Sequence, residues 1–216
     1  MQHILVYSDS LSWGLIPGTR RRLGFADRWP GVMENALLAA GNPVRVIEDC
    51  LNGRRTVHED PFKPGRNGLA GLAQRIEIHS PLSLVILMLG TNDFQSMHTH
   101  SASHAALGVQ ALVGAIRSAP VEPGMPVPAV AIVAPPALQE AAGPIARKFG
   151  GAAQRSAGLA AAYREISAEL GCPFLDAGLY VTTSRIDGVH LDADQHRILG
   201  TALADFVAAL PLASPA

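Results

Sequence analysis

The sequence predicts an α/β protein, a three-layer α/β/α sandwich around a five-stranded parallel sheet. Three observations carry this. Short apolar runs recur along the chain without polar alternation, the mark of strands covered on both faces. Stretches of helical period separate those runs. The regular succession of strand and helix is the pattern of right-handed crossovers in a parallel sheet. At 216 residues the chain is expected to form one domain over residues 1–216, large enough to bury a core without disulfides or metals.

Strands are expected at residues 3–7 (HILVY), 44–48 (VRVIE), 84–89 (LVILML), 129–134 (AVAIVA) and 173–176 (PFLD). The first helix is expected over residues 29–40, where Val32, Met33, Ala36, Leu37 and Ala40 follow a helical period and Gly41 stops it. Further helices are expected over residues 69–78, 103–118 and 152–170. Asp192 is placed to cap a last one running to about residue 210. Residues 17–27 and 52–68, rich in Arg, Gly and Pro, read as long loops after the first two strands. Long loops in a compact domain are usually functional, and open α/β sheets bind ligands beyond the carboxyl ends of their strands. The site is therefore expected at the ends of strands one to three. The tail, residues 212–216, is expected to fray.

Composition bounds the partners. The chain is 48% hydrophobic and 16% charged, a globular balance. Its 17 basic and 18 acidic residues leave a net charge of −1, which provides no field to draw in nucleic acid or anionic lipid. Cys50 and Cys172 each lie beside an expected strand. They read as two buried thiols in a reducing compartment, with a disulfide as the alternative. The N-terminus lacks a basic region followed by a long apolar stretch, and the run at 84–89 is too short to cross a bilayer. The expected location is the cytoplasm, without membrane association. There is no P-loop and no G-x-G-x-x-G, so nucleotide binding has no support, and the chemistry read below implies no cofactor.

Four short segments carry reactive groups. Strand one ends in Ser8-Asp9-Ser10-Leu11-Ser12, which puts Ser10 at the sheet's active edge; alone, this is equally a polar turn. After strand two comes Asn52-Gly53-Arg54, where a glycine N–H faces no side chain of its own, or is simply a loop glycine. Strand three ends in Gly90-Thr91-Asn92-Asp93, an amide donor at the same edge or an ordinary Asn-Asp turn. Before the last helix stands Asp187-Gly188-Val189-His190. A histidine can take the serine proton, and a carboxylate three residues away across a glycine turn can fix its tautomer; a lone loop histidine can also just be solvated. Together the four supply a nucleophile, a base, an orienting acid and oxyanion donors.

In this order the blocks resemble those of the SGNH (GDSL-type) hydrolases: Ser8–Leu11, the Gly53 segment, Gly90–Asp93 and Asp187–His190. The resemblance runs from residue 3 to about residue 207. The strings Ser10–Gly14, Asp27-Arg28-Trp29, Val46-Ile47-Glu48, Met88–Asp93 and Phe174–Gly178 are most similar to the arylesterase/acyltransferase (perhydrolase) branch. This implies a flavodoxin-like sheet and a serine esterase for short-chain acetyl or aryl esters working through an acyl-enzyme. Some members pass the acyl group to alcohols or peroxide, and several are homo-oligomers. Carried over by position, Ser10 is the nucleophile, His190 the base and acid, and Asp187 its orienting carboxylate. The oxyanion donors are the N–H groups of Ser10 and Gly53 and the side chain of Asn92. Leu11, Trp13, Phe94 and Val189 flank the blocks and are expected to contact substrate. The alternatives are a carbohydrate O-deacetylase or a thioesterase/lysophospholipase with the same triad, or a silent flavodoxin-like binding module. Ser8 departs from the family pattern, which has glycine there; serine is costly only if that position needs a positive φ.

Two other clusters have plain readings. His98, His100 and His104 read as exposed loop histidines, with no metal expected. Arg20-Arg21-Arg22 and Arg54-Arg55 read as solvated loop charges, or as charges lining the pocket mouth for anionic substrates.

Overall fold

The structure, a computed structural model, describes residues 1–212. Five strands, β1 (Gln2–Ser8), β2 (Val44–Cys50), β3 (Leu84–Met88), β4 (Ala129–Ala134) and β5 (Phe174–Asp176), pair in parallel in the order β2-β1-β3-β4-β5. The expected sheet is the observed one. The chain runs from β1 to β2 on one side and then returns to β3 on the other. The winding therefore reverses between β1 and β3, where Ser8 pairs with Met88, and a crevice opens beyond that point.

Among the described residues, eight α-helices complete the layers: α1 (Ser10–Trp13), α2 (Trp29–Ala39), α3 (Leu72–His79), α4 (Ala102–Arg117), α5 (Ala146–Phe149), α6 (Ala152–Arg155), α7 (Leu159–Glu169) and α8 (Ala193–Ala208). Alternate strand residues enter two separate cores. Leu5, Tyr7, Val85 and Leu87 pack with Ile76, Leu112, Val113 and Tyr163 from α3, α4 and α7. Ile4, Val6, Leu84 and Ile86 pack with Trp29, Met33, Leu199 and Leu203 from α2 and α8. Burial on both faces explains the unbroken apolar runs, and each buried Leu or Ile contributes about 1.5–3 kcal/mol.

The departures are local. The helix expected over 152–170 is broken into α6 and α7, separated at Ser156–Gly158 by turns. Helix α3 starts three residues later than expected, because Gly71 at φ +75° is left-handed and cannot continue a right-handed helix. Asp192 stands at the cap position of α8, but its carboxylate accepts from the Ser184 hydroxyl at 2.9 Å and from no helix N–H. Both cysteines are free. The frayed tail falls outside the described residues except for Leu212, whose N–H bonds the Leu210 carbonyl and whose side chain packs on the second core. Among the described residues no helix is long and apolar enough to cross a membrane.

Candidate active site

Strand β1 delivers Ser10 to the crevice. The chain turns at once into α1, and Asp9 caps it by accepting the Leu11 N–H at 2.9 Å. From the far end of the chain, the loop before α8 brings Asp187 and His190 to the same place. Asp187 Oδ1 accepts the backbone N–H groups of Val189 (3.0 Å) and His190 (2.9 Å), and Oδ2 accepts His190 Nδ1 at 2.7 Å. His190 Nε2 lies 3.1 Å from Ser10 Oγ. Gly188 makes this turn possible. It sits at φ +75°, and a Cβ there would lie 2.4 Å from the Glu140 carbonyl oxygen.

The charge state follows from the surroundings. Burial alone would raise the Asp187 carboxyl, but the side chain and N–H of His190 and the N–H of Val189 outweigh it and hold the group down to about 2. Asp187 is therefore an acceptor at neutral pH. The imidazole must carry its proton on Nδ1 and present the Nε2 lone pair to the Ser10 hydroxyl.

Ser10, Asp187 and His190 line a cavity of about 510 Å³, together with Gly53 and Asn92. The N–H groups of Ser10 and Gly53 have no partner among the described residues. Asn92 differs. Its Nδ2 donates to Asp9 Oδ2 at 2.9 Å and to the Arg54 carbonyl at 3.1 Å, while Gln95 donates to its Oδ1 at 2.8 Å. The amide thus faces the cleft wall with both hydrogens in use, and an incoming oxyanion would compete with the longer bond, to Arg54. Gly90 sets this segment's course. It has φ +119°, and a Cβ there would meet the Tyr163 hydroxyl oxygen at 2.3 Å.

Sequence reasoning missed the scaffold behind these groups. The buried Arg54 guanidinium bonds the Ser8 carbonyl (3.0 Å) and Asp49 (2.7 Å) and covers the Tyr7 ring at 3.9 Å. Arg55, fully buried, donates to the Asn92 carbonyl (3.2 Å) and to Gln95 (2.5 Å), and pairs with Asp60 at 3.2 Å. The reading of Arg54-Arg55 as loop or mouth charges is therefore corrected: they are internal struts. The available signal was Asp49 and Asp60, each five residues from its arginine. Of the other cluster, Arg22 pairs with Glu48 at 3.4 Å and Arg20 lines the cleft with Lys63 and Lys148, so the mouth is basic through residues from three segments.

None of the four expected substrate contacts lines this cavity, and Phe94 lines a second one with Thr91. Leu11 and Val189 are buried in the cores on opposite sheet faces. Phe94 is buried, with its carbonyl accepting from Arg155 at 2.6 Å, and Trp13 lies under the Arg22 guanidinium at 4.8 Å. In a tight turn a neighbour of an inward-facing residue points elsewhere; Asp187 and His190 face the cleft and Val189 faces the core. Leu15, Ile145 and Phe149 supply the apolar lining instead.

Ser8 has an ordinary strand conformation, as among the described residues none other than glycine has a positive φ. It is also bonded. Trp29 Nε1 donates to Ser12 Oγ (3.1 Å), Ser12 to Ser8 Oγ (2.5 Å), and Ser8 to the Met88 carbonyl (2.6 Å). This chain ties α2, α1, β1 and β3 together beneath Ser10. The histidine cluster differs from expectation as well: His104 Nδ1 accepts the Ser101 N–H as part of the α4 cap, and His98 and His100 are half-buried against His58.

The fold and this site define a hydrolase of the SGNH kind. The chain belongs to the GDSL-like lipase/acylhydrolase family, whose model matches residues 9–198. It is similar to the inhibitor-bound M. smegmatis aryl esterase (34% identity, 97% of this chain and 100% of that one, TM-score 0.92). It is similar too to Est24, a carbohydrate acetylesterase from Sinorhizobium meliloti (35% identity, 97% and 99% covered, TM-score 0.91). An arylesterase from Vibrio mimicus is 35% identical over 92 residues; that match spans 43% of this chain and 38% of the relative's length.

Two predictions follow the scaffold. Ser8→Ala removes the link to Met88 and is expected to destabilise the fold by about 1–3 kcal/mol in urea unfolding, because a buried hydrogen-bond chain loses a member. Ser8→Gly is expected to bring no gain in kcat/KM. The second concerns Asp9, whose carboxyl burial pushes up to about 6 against the hydrogen bonds from Leu11 and Asn92. A raised acid binds its proton more tightly folded than unfolded, so its penalty is absent below pH 4, grows as pH rises, and is complete above pH 6. The Asp9 contribution should make the protein about 1–2 kcal/mol more stable at pH 5 than at pH 7.5. Unfolding at both pH values should show that increment in the wild type and lack it in Asp9→Asn.

Proposed function

We propose that the protein is a serine esterase acting on small acyl esters. The single observation that carries this reading is the continuous contact from Asp187 through His190 to Ser10, opening on a cavity that presents two unpartnered N–H groups. Ser10 Oγ attacks the ester carbonyl carbon while His190 Nε2 takes its proton. The resulting oxyanion is met by the N–H groups of Ser10 and Gly53 and by Asn92. His190 then returns the proton to the leaving alcohol as the C–O bond breaks, leaving an acyl-enzyme. Water attacks it, His190 takes the water's proton, and the acid leaves as the Ser10 hydroxyl re-forms.

The apolar lining of Leu15, Ile145 and Phe149 suits a short acyl or aryl group, and the Arg20, Lys63 and Lys148 rim suits a polar or anionic alcohol half. The rim is the observation that favours a second reading, an O-deacetylase for a carbohydrate. On either reading the protein works in the cytoplasm as a homo-oligomer. The exposed apolar side chains Phe62 and Ile186 support assembly, and light scattering after size exclusion tests it.

With p-nitrophenyl acetate, Ser10→Ala is expected to lower kcat at least about 10⁴-fold; wild-type turnover in that variant would refute the reading. Asn92→Ala is expected to lower kcat by about 10²–10³-fold with little change in KM, since the lost donor acts on charge that develops in the transition state. A panel of aryl acetates against acetylated sugars separates the two substrate classes by kcat/KM.

A further inference from the structure

Four histidines gather outside the cleft. His58 comes from the loop after β2, His98 and His100 from the segment after Asn92, and His104 from the first turn of α4. The rings of His58 and His100 stack with centroids 3.8 Å apart, and His98 stacks on His100 at 4.7 Å. Asp93 is fully buried against them. One ring nitrogen of His58, one of His100 and one carboxylate oxygen of Asp93 all lie within 4.8 Å of one another.

Nothing in the fold uses these nitrogens. Nε2 of His58, Nε2 of His98 and Nδ1 of His100 are shielded from water and have no hydrogen-bond partner among the described residues. A buried polar atom is normally paired, and three orphans in one cluster call for an occupant. His104 is already committed to the α4 cap, so it is not among them. Asp93 accepts from the hydroxyl and N–H of Thr56, which fixes the carboxylate in place. The neighbouring Arg55 guanidinium pairs with Asp60 at 3.2 Å.

We propose that His58, His100 and Asp93 form a binding site for a late first-row divalent metal such as zinc, with His98 as the nearest further ligand. Two imidazoles and a carboxylate suit zinc, cobalt or nickel, whereas magnesium and calcium prefer all-oxygen shells. Bonds of about 2.0–2.2 Å require ligand atoms roughly 3–3.5 Å apart. The half-exposed histidines close that gap by side-chain rotation onto the fixed Asp93. The metal would clamp the loop that carries Gly53 to the segment that carries Asn92. The site is independent of the esterase reading.

Chelator-treated protein titrated with zinc chloride in a calorimeter should bind one ion per chain with a Kd of about 10 μM or tighter. At ten times Kd, Tm should rise by about 3 °C. Cobalt chloride should give visible absorption bands of a nitrogen- and oxygen-ligated ion. His58→Asn/His100→Asn should lose the heat, the Tm shift and the bands while keeping its circular dichroism and its basal ester hydrolysis. Absence of saturable binding by the wild type overturns the proposal outright. Equal binding by the double variant also overturns it, because the ion would then sit elsewhere.

Discussion

A 3.1 Å contact joins Ser10 Oγ to His190 Nε2 across 180 positions of sequence. Much of the structure serves to hold that contact. The parallel sheet sets β1 at the point where the winding reverses, so its carboxyl end faces an open crevice. Helix α8 packs on α2 beneath that end, and the loop entering α8 carries Asp187 and His190. A slip in either core would move one partner past hydrogen-bond reach, which explains why tightly packed residues stand so close to a polar site.

The polar groups around the contact form a graded set. Asp187 is an acceptor held far below the usual carboxylate range by hydrogen bonds, so it can orient the imidazole without taking its proton. Asp9 is driven the other way by burial, and its carboxylate holds both the start of α1 and the Asn92 amide. Asn92 is held from every side, by Asp9, Arg54, Gln95 and Arg55. The proposed oxyanion site therefore combines two free backbone donors with one side-chain donor that must exchange a partner. Such a site holds the Asn92 amide in place until an oxyanion displaces the Arg54 carbonyl from it.

Groups that act within a few residues of one another were readable from the sequence. Asp187 and His190 are one turn apart, and Gly188 announces that turn. The strands were readable because two-sided burial leaves an unbroken apolar run. What escaped depends on contacts made only after folding. Arg54 and Arg55 look like loop charges until Asp49, Tyr7, Asp60 and Gln95 surround them. Leu11 and Val189 adjoin reactive residues, but their side chains leave the cleft, because direction within a turn is not set by adjacency. The His98–His100 pair became a cluster only when the loop after β2 brought His58 to it. Ser8 looked like a departure from the motif, and its hydroxyl proved to be part of the hydrogen-bond chain beneath Ser10.

The central claim is that Ser10 is an activated nucleophile. Mass spectrometry of the protein after treatment with a fluorophosphonate tests it most directly. The account predicts one adduct per chain, located on the peptide containing Ser10, forming far more slowly in His190→Ala. An unlabelled protein, or an adduct on another residue with Ser10 untouched, would contradict it.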